Sequence, residues 1–126
     1  MESPRKRILF IDKHEGIRWL LEETFKYVEA SLTFSSSVKE GKAYLEREEF
    51  DLIVCGYYLD DGIGLEILRA LRGQQKTMPF ILFTSMAELL PELQAENFYM
   101  IDKPELGLLL KRSQNLLFKS KQLSDR

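Results

Sequence analysis

Apolar and polar positions fall in short alternating blocks along this chain. Ile8 to Ile11 is wholly apolar and closed by Asp12, the pattern of a strand buried on both faces. Ile17, Leu20, Leu21, Thr24, Phe25 and Val28 then recur at helical spacing, with charged residues on the other side, and predict an amphipathic helix. Leu32 to Phe34 predicts a second strand, and Val38 to Phe50 a helix with Ser37 as its N-cap. Leu52 to Cys55 predicts a third strand, and Leu65 to Leu71 a helix ended by Gly73. Phe80 to Phe83 and Phe98 to Ile101 predict two further strands, followed by a last helix from Glu105 to about Lys119.

Strands apolar throughout, alternating with helices over short connections, imply a parallel sheet covered on both faces. Right-handed crossovers leave few topologies, and a doubly wound five-stranded sheet in the order 2-1-3-4-5 suits the length. That arrangement places a site at the carboxyl ends of the strands. The residues there are Asp12 and Lys13, Gly56, Thr84 with Ser85, and Lys103 before Pro104.

Composition narrows the function. The 126 residues suit one domain, taken as 1–126, with a core over about 7–119 and a polar tail at 120–126. A formal net charge of −2 gives no electrostatic case for nucleic acid or a membrane surface. No apolar stretch approaches the roughly 20 residues of a membrane span, and the start MESPRKR lacks the apolar centre of a signal peptide. A cytoplasmic protein is expected. Cys55 is the single cysteine and lies in an apolar run, which makes it a small buried hydrophobe rather than a redox or zinc residue.

The segments "RILFIDKHEGIRWLLEETF", "DLIVCGYYLDDGIGLEIL", "PFILFTS" and "YMIDKP" set these strand-end residues in one order. In that order the chain resembles the receiver domain of two-component response regulators, a flavodoxin-like fold, over nearly its whole length. The resemblance implies an acidic pair after strand one and a phosphate-accepting aspartate after strand three, which together hold Mg²⁺. It also implies a hydroxyl on strand four and a lysine on strand five that contact the phosphoryl group. Asp12, Thr84 and Lys103 match. Lys13 stands at the second acid and Gly56 at the acceptor.

Both departures strike the chemistry. The family's pocket carries a net of two negative charges, whereas Asp12 with Lys13 and Lys103 nets one positive charge. Mg²⁺ takes oxygen ligands, usually from carboxylates and phosphates, so Mg²⁺ binding is expected to be lost. Glycine has no nucleophile to acylate. A degenerate receiver that is not an enzyme, and that acts by phosphorylation-independent contact with a protein partner, is the expected function. The partner implied is a histidine kinase or another signalling protein.

Two alternatives stand beside it: phosphorylation on Asp60 or Asp61, and a small-ligand sensor in the vacancy over Gly56, with Tyr57 and Tyr58 as a lid. Asp60 and Asp61 next to Gly62 and Gly64 otherwise make a solvated turn, and the tyrosines otherwise lie in a loop. The "GIG" there lacks the third glycine of a dinucleotide fingerprint. Lys103 has a structural use open to it, pairing with Asp12. Lys13 either tethers a positive charge where the metal would sit or points to solvent. His14, the single histidine, reads as surface with a titration range suited to pH sensing.

In the family the output face lies on the fourth helix, fifth strand and fifth helix. Met100 stands at its aromatic switch position with Tyr99 beside it. Pro91 in "SMAELLPELQAEN" implies that the helix there is short and starts late. Leu108 and Phe118 fall off the inward stripe of the last helix, Leu106, Leu109, Leu110, Ser113 and Leu117, and Trp19 lies beside the first-helix stripe. These three are either partner contacts or packing against neighbouring helices.

Overall fold

The computed structural model describes residues 5–85 and 98–118. In chain order its elements are β1 (Lys6–Ile11), α1 (Glu15–Thr24), β2 (Ala30–Ser35), α2 (Val38–Arg47), β3 (Leu52–Cys55), β4 (Tyr58–Leu59), β5 (Gly62–Ile63), α3 (Leu65–Gly73), β6 (Phe80–Thr84), β7 (Tyr99–Asp102) and α4 (Leu106–Phe118). Five strands form one parallel sheet in the order β2-β1-β3-β6-β7, the expected doubly wound arrangement. A small antiparallel hairpin, β4-β5, stands apart from it.

Strand periodicity explains why the central runs, Ile8 to Ile11, Leu52 to Cys55 and Phe80 to Phe83, are apolar at every position. Leu9, Ile11, Ile53, Cys55, Phe80 and Leu82 point to one face and pack with α2 and α3 through Val38, Leu45, Leu65 and Leu68. Ile8, Phe10, Leu52, Val54, Ile81 and Phe83 point to the other, against Leu21 of α1 and Leu109 and Leu117 of α4. No described helix is long and apolar enough to cross a membrane.

Several element ends differ from expectation. α1 stops at Thr24, yet Phe25 and Val28 stay buried because successive backbone turns, Phe25 N–H to Leu21 and Val28 N–H to Phe25, keep the chain coiled against the sheet. Leu20, placed on the buried stripe by spacing, is 39% exposed. β2 extends beyond Leu32–Phe34 because all six of its residues find partners along β1.

α2 ends at Arg47 rather than Phe50. Glu48 turns to extended backbone, and Phe50 folds back edge-on to Tyr44, with the Arg7 guanidinium over its ring at 4.8 Å. α3 runs through Gly73, and it is Gln75 that takes the left-handed conformation, with φ of 64°. The following backbone is caught by Arg72, whose guanidinium donates to the carbonyls of Lys76 and Met78. The helix expected around Pro91 and the polar tail at 120–126 lie outside the described residues.

Candidate functional site

Four strand ends meet at the carboxyl edge of the sheet, and backbone hydrogen bonds carry the ladders one residue past the strands. Asp12 N–H donates to Ser35 at 3.0 Å, Gly56 N–H to Ile11 at 2.8 Å, and Lys103 N–H to Thr84 at 3.1 Å. These bonds position Asp12, Gly56 and Lys103 before any side chain acts.

Lys103 Nζ then lies 2.8 Å from Asp12 Oδ2. The strand order places this ion pair across the ends of β3 and β6, with Gly56 beneath it. A Cβ built on Gly56 would stand 3.2 Å from Asp12 Oδ2, with the Ile11 carbonyl next nearest. The Asp12 carboxylate thus borders the space where a side chain at 56 would begin. Its other oxygen accepts from the backbone N–H of His14 at 2.9 Å, a local Asx turn, and lies 3.2 Å from the His14 ring Nδ1. The Asp12 side chain is only 9% exposed, so both oxygens are engaged in a largely dry setting.

Thr84 is buried at the end of β6. Lys13 is exposed. Among the described residues the side chains facing Asp12 are those of Lys103 and His14, and exposed Lys13 takes the solvent alternative rather than a tethered charge beside Asp12. His14 belongs to the cluster, although the sequence reading left it on the surface. Its offset of two from Asp12 was the available signal.

Cys55 is fully buried beside this cluster, and burial together with the negative charge of Asp12 pushes its thiol far up. It is a packing residue. The aspartates of the β4-β5 turn do something the sequence did not announce. Asp61 accepts from the backbone N–H groups of Val38 at 2.7 Å and Lys39 at 3.0 Å, while Ser37 Oγ accepts from Glu40 N–H. Two side chains distant in sequence thereby satisfy the first three N–H groups of α2. The two backbone bonds hold the Asp61 carboxyl below its ordinary value. Asp60 is exposed in the turn.

Gly64 is where the hairpin presses on the site: a Cβ there would run into the Gly56 carbonyl oxygen and come within 2.8 Å of Cys55 Sγ. "GIG" is therefore a close-packing device, with Gly64 N–H donating to Tyr57 at 2.7 Å. Tyr57 packs against the α2–α3 side of the core, and Tyr58, edge-on to it at 4.8 Å, is 53% exposed. The atoms nearest to the space at Gly56, beyond its chain neighbours, are those of Asp12 and the Ile11 carbonyl.

On the far edge, Met100 packs inward and Tyr99 points out with the Arg112 guanidinium over its ring at 5.0 Å. Leu108, Phe118 and Trp19 are all exposed. Among the described residues no three His, Cys, Asp or Glu side chains converge in a manner suited to a metal.

A family model described as response regulator receiver domain matches residues 8–113. The response regulator protein PilR of Pseudomonas aeruginosa is 31% identical over 109 residues, which cover 83% of this chain and 24% of PilR. The chain thus spans about a quarter of the length of that curated relative. Among solved structures, the receiver domain of the Francisella response regulator 1452 superposes with a TM-score of 0.82 at 20% identity, covering 91% of this chain and 98% of that one. The non-phosphorylated HemR receiver domain of Leptospira biflexa gives 0.75 at 27% identity, covering 90% and 94%. TrrA of Thermotoga maritima, solved with Mg(2+)-BeF, gives 0.79 at 23%, covering 89% and 99%.

Proposed function

The chain belongs to the response regulator receiver domain family, and from that premise we propose that it is a degenerate receiver, signalling by contact with a protein partner and without phosphate. The observation that carries this reading is the Lys103–Asp12 ion pair over Gly56. One carboxylate remains at the edge of the sheet, its oxygens taken by an ammonium, a backbone N–H and an imidazole.

Mg²⁺, which TrrA carries together with BeF, demands near-octahedral oxygen ligands. The residues here do not fit it: a metal would have to displace Lys103 from Asp12 and would find no carboxylate at 56. Two unit charges about 4 Å apart interact by roughly 4 kcal/mol at an effective dielectric of 20, and twice that when one is divalent. Lys103 in place of the metal therefore repels it while neutralising Asp12. The position at 56 offers no nucleophile for phosphoryl transfer, and the domain catalyses nothing.

Of the two alternative acceptors, Asp61 is disfavoured by the α2 cap, where it already accepts two backbone hydrogen bonds, and Asp60 stands exposed in the hairpin turn. What remains for signalling is surface. Tyr99, Leu108 and Phe118 are exposed apolar residues in the region where the family's output face lies, and a histidine kinase or another signalling protein is the partner class.

Intact mass after incubation with Mg²⁺ and acetyl phosphate tests the reading. The expected result is no gain of about 80 Da, the mass of a phosphoryl group on a carboxylate nucleophile. A hydroxylamine-sensitive adduct of that mass would overturn it.

A further inference from the structure

A cavity of about 430 Å³ opens at the carboxyl edge of the sheet, beside α1 and the end of β2, within the size range of small-molecule sites. Gly56 does not line it, so it is distinct from the vacancy considered for a ligand on sequence grounds. Phe10 and Phe34, stacked at 5.1 Å, form an aromatic wall. Glu15, Glu22 and Glu40 contribute carboxylates against one guanidinium from Arg18, while Asp12, also on the wall beside the His14 ring, is already paired with Lys103. Glu40 is fixed there, its Oε1 accepting from the hydroxyl of buried Ser35 and the N–H of Ser36.

Arg18 shows what this chemistry selects. Its guanidinium lies over the Phe34 ring at 4.7 Å and donates to Glu22 at 3.4 Å. A planar cation between an aromatic face and a carboxylate is a favourable arrangement for guanidinium groups. The Arg18 side chain is 60% exposed, so it can swing away without disturbing the core.

We infer that this cavity binds a small organic cation, a guanidinium or ammonium group on a short apolar chain, which replaces Arg18 on Phe34. The excess of carboxylates over cations neutralises the ligand, and Phe10, Phe34, Ile17 and Leu21 cover its apolar part. The site adjoins the strand-end pocket through Asp12, while neither Gly56 nor Thr84 lines it.

Trp19 is the single tryptophan of the chain and lines the cavity, so its emission reports occupancy. Agmatine is the probe and glutarate the anionic control. The expected result is a saturable change in Trp19 emission with agmatine and none with glutarate, with one site by calorimetry. Arg18→Ala removes the internal competitor and tightens agmatine binding by about two- to fivefold, the size of an exposed cation–π contact. Phe34→Leu keeps apolar volume but loses the ring face, and weakens binding by a similar factor, with circular dichroism verifying its fold. Absence of a saturable response in both the unsubstituted protein and Arg18→Ala overturns the proposal. So does weaker binding by Arg18→Ala, or unchanged binding by a folded Phe34→Leu.

Discussion

Lys103 reaches across two strand ends to hold Asp12 at 2.8 Å, the two residues lying beyond β7 and β1. The pair is neither fully buried nor free: Asp12 is 9% exposed and Lys103 22%. Removing one partner from a buried pair costs about 3–5 kcal/mol, mostly through the charge left behind. Asp12 retains the His14 N–H and some solvent here, so Lys103→Met is expected to cost about 1–3 kcal/mol in urea denaturation. Asp12→Asn combined with Lys103→Met recovers part of that loss. An unchanged midpoint in the single variant would show that the pair contributes nothing.

Asp61 links the hairpin to α2, and its stabilising effect depends on pH. Backbone N–H groups of Lys39 and Val38 favour the ionised form, so its folded pKa is depressed below the ordinary carboxylate value. A depressed carboxyl stabilises the fold above the unfolded pKa and loses that contribution as pH falls through the folded value. Asp61→Ala is therefore expected to lower the melting temperature at pH 7, with the gap to the parent closing at the acid end of a melting series. A gap that stays constant down to pH 2–3 (about one to two units under the ordinary carboxylate value) would contradict the capping role.

These two contacts mark where the sequence was legible. Most sheet strands hold an apolar run bounded by a turn or a polar residue, whereas β2 alternates with serine and threonine and showed only its centre. Their existence and order could be read directly. The end of α2 could not, because Phe50 continues the helical apolar period while packing from a loop against Tyr44. The β4-β5 hairpin has only two residues per strand, too few to show a period. Asp61 caps a helix 23 residues before it, a closeness that only the tertiary fold creates. Asp12 and Lys103 could be assigned to one site through the strand order and the family resemblance, whereas the contact of His14 with Asp12 depends on the local turn.

Gly64 and Gly73 separate two reasons for glycine. Gly64→Ala would drive a methyl group into the Gly56 carbonyl and Cys55 Sγ, and overpacking of that kind costs typically 1–3 kcal/mol. Gly73 has nothing within 4 Å of its added Cβ and ends α3 with ordinary helical backbone. Gly73→Ala is expected to stabilise by about 0.5–1 kcal/mol through helix propensity. Denaturation midpoints moving in opposite directions check both. Similar shifts would mean that the contact at Gly64 relaxes freely.

If charge and a missing nucleophile together silence the site, restoring both should revive it, whereas restoring one should not. Gly56→Asp alone adds a carboxylate close to Asp12, with Lys103 beside them. Two carboxylates against one ammonium net one negative charge, short of the two that the family resemblance implies for a divalent cation. Adding Lys13→Glu leaves three carboxylates against Lys103, the balance that the family resemblance implies for a Mg²⁺ pocket. The Cβ at 56 begins 3.2 Å from Asp12 Oδ2, so Asp12 must yield by a few tenths of an ångström. Acetyl phosphate with Mg²⁺ is expected to add about 80 Da to the double variant and to neither single variant. Chelation of Mg²⁺ should abolish the adduct. A folded double variant that takes up no phosphoryl group would show that the silence lies in the altered output elements rather than in the pocket. Labelling of the Lys13→Glu single variant would place the acceptor somewhere other than position 56.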